Sequence, residues 1–144
     1  MLSYKHVLVA IDLHPNCDLI TPQRAIEIAN ECQAKLTILH AVEHINAYGI
    51  AQAYPSVFEL EQELLTQAKQ ELSKVCQQLK IDNPDIVVEV GSPKLVILDT
   101  IKRLGVDLVV MGSHGRHGIS LLLGSTANAV LHHAPCDVLA VRLK

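Results

Sequence analysis

The feature that most constrains this chain is a repeated exchange between two hydrophobic periods. Short, nearly continuous apolar runs rich in Val and Ile alternate with longer stretches whose apolar residues recur every three or four positions. Continuous runs suit strands covered on both faces, and the wider spacing suits helices that bury one face. The runs lie at residues 6–11 (HVLVAI), 36–40, 86–90, 106–111 and 138–143. Strands separated by helices imply right-handed βαβ units and a parallel sheet. The expected fold is a doubly wound, Rossmann-like α/β domain with five parallel strands in the order 3-2-1-4-5.

The helices carry their own punctuation. Thr21 reads as an N-cap with Pro22 at the first helical position, ahead of an apolar stripe at Ala25, Ile28, Ala29 and Cys32. Ser56 and Glu59 read as a capping box. The stripe Leu60, Leu64, Ala68, Leu72, Val75 and Leu79 then runs to about Lys80, and Pro84 marks the break. Ser92-Pro93 repeats the cap-then-proline signal, with Leu98, Ile101 and Leu104 expected to face inward and Gly105 to end the helix. A last helix is expected from Ser125 to His133, stopped by Pro135. No repeat, linker or low-complexity tract interrupts the pattern, so residues 1–144 read as one domain.

Composition bounds the function classes. A chain of 144 residues buries roughly two thirds of its unfolded surface and needs no disulfide or metal to hold a core. With no Trp, one Phe and three Tyr, that core must come from Val, Ile, Leu and Ala. The net charge of −3 comes without a basic stripe, which argues against a nucleic-acid partner. No apolar run approaches the ~20 residues of a membrane span, and the first residues lack the pattern of a signal peptide. A cytoplasmic protein is expected. The cysteines at 17, 32, 76 and 136 form no C-x-x-C pair and read as reduced, small hydrophobes.

In an open parallel sheet, ligands bind beyond the carboxyl ends of the strands, where the strand order reverses. That crevice lies between strands 1 and 4, which end at Asp12 and Gly112. The segment after strand 4 reads GSHGRHGISLLLGSTANAVL. Its glycines at 112, 115 and 118 permit close backbone approach. Gly124-Ser125-Thr126 opens a helix, whose N-terminus offers N–H groups and a positive dipole end to an anion. Two readings follow from the residues: a polyphosphate cradle, or a tight βα turn in which Ser125 is only a cap. The segment is not a G-x-x-x-x-G-K-[ST] loop, and no Lys is placed to reach the outer phosphates.

Other residues draw weaker readings. His114 and His117 form an H-x-x-H that lacks the further ligands a metal needs. His132 and His133 suit a helix C-terminus. His40 and His44 flank a strand end, and their spacing assigns them no role. The segment from Tyr48 to Tyr54 reads as a surface loop in preference to a lid over the crevice, and the run from Glu59 to Glu71 as a solvated face. The fifth strand, from Val138 to Leu143, would leave an exposed sheet edge in a monomer.

Taken together, several segments resemble the universal stress protein A family. They are the Gly112-x-x-Gly115…Gly124-Ser125 motif, the opening Tyr4-to-Asp12 segment, the Leu39-His40-Ala41-Val42 strand end and the closing Ala134-to-Val141 segment. The resemblance covers nearly the whole chain. It implies the fold above, grouped with the adenine nucleotide alpha hydrolase-like folds, and a homodimer through the edge strand Val138 to Leu143. It also implies an ATP site, with magnesium on the phosphates. In that site Asp12 lies beside the adenosine, Ala41 offers a backbone contact to adenine, and Gly112, His114, Gly115, Gly124, Ser125 and Thr126 surround phosphate and ribose. Ala10 and Ile11 beside Asp12, and Met111 beside Gly112, complete the candidate set.

Two departures stand out. Only eight residues separate Gly115 from Gly124, one fewer than in the ATP-binding pattern and similar to the members that bind no nucleotide. The residues after Asp12 read Leu-His-Pro-Asn-Cys-Asp rather than the usual Gly-Ser-x-x-Ser. The expected function is an ATP-binding stress-response regulator that acts by binding rather than fast turnover. The alternatives are a dimeric stress protein that binds only protein partners, and a slow ATPase using Asp12 and His114.

Overall fold

A computed structural model describes residues 3–13, 19–44, 57–113 and 124–142. Its elements run β1 (His6–Ala10), α1 (Ile20–Cys32), β2 (Lys35–Val42), α2 (Val57–Gln78), β3 (Asp85–Val90), α3 (Pro93–Leu104), β4 (Leu108–Gly112), α4 (Ser125–His133) and β5 (Asp137–Val141). All paired strands are parallel, in the order β3-β2-β1-β4-β5. This is the doubly wound sheet that the alternating periods demand.

Alternation along each central strand sends successive side chains to opposite layers. Val7, Val9, Ile11, Ile38, Leu108 and Val110 pack with Ala25 and Ala29 of α1 and Leu72, Val75 and Cys76 of α2. Leu8, Leu39, Val109 and Met111 pack on the other face with Val96, Ile97 and Ile101 of α3 and Ala127 and Val130 of α4. Both faces of β1 are therefore buried, which is why its sequence is apolar throughout. Cys32, Cys76 and Cys136 are free thiols, and burial pushes the Cys76 thiol above its ordinary value. Cys17 lies outside the described residues.

Several boundaries differ from expectation. Thr21 does not cap α1. The helix starts two residues earlier, with Leu19 at the N-cap and its carbonyl accepting the Gln23 N–H at 3.2 Å. Pro22 is tolerated because no N–H in the first turn has an intrahelical partner. Ser92 does occupy the N-cap of α3 with Pro93 behind it, but its side chain makes no cap bond. Helix α2 stops at Gln78 because Lys80 turns left-handed at φ 56° and the Ile81 N–H reaches back to the Cys76 carbonyl. Ser56 lies outside the described residues. Leu104, expected inward, is 37% exposed in the last turn of α3, whose buried residues are Val96, Ile97, Thr100 and Ile101. Strand β4 begins at Leu108 rather than Val106, because the Val106 N–H closes the end of α3 on the Ile101 carbonyl.

The amino ends of the strands are tied by side chains. The Asp107 carboxylate accepts the backbone N–H groups of Lys5 (2.8 Å) and His6 (2.9 Å). Tyr4 donates its hydroxyl to Asp137 at 2.7 Å, His6 Nε2 lies 2.7 Å from Thr37 Oγ1, and Lys35 pairs with Asp85 at 3.1 Å. Together these bonds cross every strand boundary in the sheet. Burial alone would raise the Asp107 carboxyl, but the N–H groups of Lys5, His6 and Asp107 itself outweigh it and hold the carboxyl below its ordinary value. Desolvation, aided by the Lys35 charge, holds the His6 imidazole below its own.

Candidate functional site

The carboxyl end of the sheet is built differently, because the strands part there. The β1–β4 ladder ends at the pair Val9–Val110. Beyond it β1 stays with β2, through the pair Ala10–Leu39 and an Ile11 N–H bond to the Leu39 carbonyl at 2.8 Å. Strand β4 stays with β5 as far as the pair Gly112–Val141, and the Ser113 N–H bonds the Val141 carbonyl at 2.8 Å. A crevice therefore opens between the ends of β1 and β4, where the strand order reverses.

On the β4 side the crevice receives a helix N-terminus. The Gly124 N–H bonds the Ser113 carbonyl at 2.8 Å, which fixes the start of α4 against the end of β4. Gly124 is the N-cap, and the first intrahelical bond runs from the Asn128 N–H to its carbonyl. The cap is thus Gly124 and not Ser125. The helix itself leaves the first-turn N–H groups of Ser125, Thr126 and Ala127 without carbonyl partners, so the positive end of α4 sits at the crevice. Ser125 is exposed and Thr126 half-buried.

On the β1 side lie Ala10, Ile11 and Asp12. Ala10 is half-buried, the Ile11 side chain is buried in the α1–α2 layer, and Asp12 is exposed just past the strand. Met111 is buried in the α3–α4 layer, and Gly112 ends β4. Ile11 and Met111 therefore serve packing with their side chains and could offer a ligand only backbone. His114, Gly115 and His117 lie outside the described residues. Among the described residues no group of three or more His, Cys, Asp and Glu could hold a metal ion.

Ala41 joins this site from β2. The Leu39 carbonyl points at β1, whereas the Val42 carbonyl accepts the Gly91 N–H on the β3 side. With a period of two, the Ala41 N–H and C=O both point toward β1. Because β1 no longer pairs at that level, the Ala41 peptide edge faces the crevice.

Two residues of this region were not legible in the sequence as site residues. Ser113 bonds through its carbonyl to Gly124 at the start of α4 and through its N–H to Val141 of β5. His40 donates from Nδ1 to the Ile11 carbonyl at 2.8 Å. Only the register of β1 against β2 brings His40 beside that carbonyl, and residue spacing does not display register. His44 bonds Glu61 of α2 at 3.0 Å, so part of the acidic run is used in packing the helix against the end of β2.

Comparison with known proteins agrees with the fold. The model of the universal stress protein family matches residues 3–142. The chain is 48% identical to universal stress protein A homolog 2 of Coxiella burnetii, over 100% of this chain and 99% of that protein. It is 40% identical to homolog 1 of the same organism, over 99% of each. Among solved structures, the universal stress protein UspA from Lactobacillus plantarum superposes with a TM-score of 0.82 at 28% identity, over 99% of this chain and 100% of that one. A universal stress protein solved in complex with cAMP superposes with a TM-score of 0.62 at 25% identity, over 97% of this chain and 98% of that one. The strand order agrees with these matches, which run along the whole length, and the chain belongs to the universal stress protein family.

Proposed function

We propose that the protein is an adenine-nucleotide-binding stress-response regulator, with ATP as its ligand, that acts by binding rather than by rapid turnover. The observation that carries this reading is the start of α4, bonded through Gly124 to Ser113 at the mouth of the crevice. The cAMP-bound relative supports it. The Ala41 edge supplies a donor and an acceptor side by side, which complement N1 and the exocyclic amine of adenine. Guanine presents a donor and an acceptor in the reverse order, so ATP is favoured over GTP. Asp12 follows β1 where the ribose of a nucleotide so placed would lie. Magnesium would arrive on the phosphates, since it commonly keeps its waters and needs few protein carboxylates. Most of the described donors here are peptide groups, which stabilise charge but move no proton.

Isothermal titration of nucleotide-stripped protein with ATP and magnesium tests the proposal. Micromolar binding is expected, with GTP weaker, and Gly115→Val in the glycine motif should cost at least about tenfold in affinity. Absence of heat from folded protein overturns it. That outcome would favour a second reading suggested by the shortened interval between Gly115 and Gly124, a dimer that acts only through protein partners.

A further inference from the structure

We propose that His40 is a positioning residue that ends the β1–β2 ladder and so keeps the Ala41 peptide edge available to an adenine base. The inference rests on the nucleotide reading above and adds to it the residue that makes the base site.

The argument starts from ladder geometry. In a parallel pair, a residue whose N–H bonds one partner carbonyl normally offers its own carbonyl to the N–H two residues further along the partner. The Ile11 N–H bonds the Leu39 carbonyl, so the next rung would join the Ile11 carbonyl to the Ala41 N–H. That rung is missing, since pairing stops at Ala10–Leu39. The Ile11 carbonyl instead accepts the His40 Nδ1–H at 2.8 Å. A side chain from the same strand has taken the acceptor that the Ala41 N–H would use. Among the described residues nothing else takes the Ala41 N–H, while β2 continues past it through the pairs Ala41–Glu89 and Val42–Val90 on the β3 side. Strand β2 is therefore held at Ala41 from the β3 side, while among the described residues the other edge of Ala41 has no backbone partner.

This arrangement resolves a conflict. An unpaired strand edge beside a neighbouring strand tends to close by pairing, because each backbone bond made adds to stability. A donor already seated on the Ile11 carbonyl competes with that closure. His at position 40 supplies one because its side chain lies on the α1–α2 side with Ile38 and Val42, one residue from Ala41 along the strand. Nδ1 donates in the neutral Nδ1–H tautomer and in the cation alike, so the bond does not depend on charge.

Amide hydrogen exchange on the nucleotide-free protein tests this directly. In the wild type the Ala41 amide should exchange at least about tenfold faster than the Leu39 amide. In His40→Leu, which removes the donor, the rung should close, Ala41 should become as protected as Leu39, and ATP affinity should fall about tenfold. In His40→Asn, whose amide nitrogen overlays Nδ1, fast exchange and affinity should both return. Rescue by Asn separates positioning from mere packing, since Leu fills the space better. An Ala41 amide protected in the free wild type overturns the proposal, as does identical behaviour of the Leu and Asn variants. Exchange that follows the donor in a protein that binds no nucleotide supports the role of His40 and overturns the nucleotide reading alone.

Discussion

Asp107 shows how much one side chain can organise at the amino end of the sheet. It sits where α3 hands over to β4, and its two oxygens hold the N–H groups of Lys5 and His6, just before and at the start of β1. Its carboxyl titrates lower in the folded chain than in the unfolded one, so on acidification the unfolded state takes the proton first. The stabilisation is therefore complete above the ordinary carboxylate range and is lost as pH falls below about 4. His6 acts with the same sign. Its imidazole is held low, so the unfolded state gains protons first and stability declines as pH drops through about 6.5. Urea unfolding at several pH values should show Asp107→Ala less stable than wild type by about 1–2 kcal/mol at neutral pH, the lower part of the range for bonds to a charged group because Asp107 is partly exposed. The difference should vanish in strong acid. An equal deficit at every pH would mean that packing, not the carboxylate, is responsible.

Among the elements, helix ends divide into those the sequence announces and those it hides. Gly105 is announced. It takes the left-handed conformation at φ 67°, and an added Cβ would meet nothing within 4 Å. Gly105→Ala should therefore cost backbone strain alone, about 1 kcal/mol, read as a fall of a few degrees in Tm of about 3–6 °C. A fall much larger than that would point to a contact the geometry does not contain. Pro135 and the start of α4 are legible for the same reason, since Gly and Pro state their conformations. Gln33 and Lys80 turn left-handed without any such signal, and Thr21-Pro22 has the look of a cap inside a helix that starts before it. Strand centres are legible from hydrophobic runs, but strand ends depend on partners. Strand β2 runs on to Val42 because β3 pairs with it that far. For the same reason Asp12, Gly112 and Gly124 could be read as site residues from strand ends and helix starts, whereas His40 and Ser113 could not.

At the scale of the whole molecule, the strand order was within reach of the sequence because right-handed crossovers leave so few ways to lay down five parallel strands. Among the described residues no helix is long and apolar enough to cross a membrane. Strand β5 closes one side of the sheet and pairs only with β4 among the described strands, and such edges are usually covered. A homodimer joined through this edge is the expected assembly of the proposed regulator, and sedimentation equilibrium should then return twice the chain mass at micromolar concentration. A single chain mass there would overturn that assembly.

The sheet is bound across its whole width at the amino end, yet β1 and β4 separate at the other. In mechanical terms it is a pair of tongs, with its pivot at Tyr4, Asp107 and Asp137 and its tips at Asp12 and Ser113. Whatever lodges between the tips rests against both limbs at once.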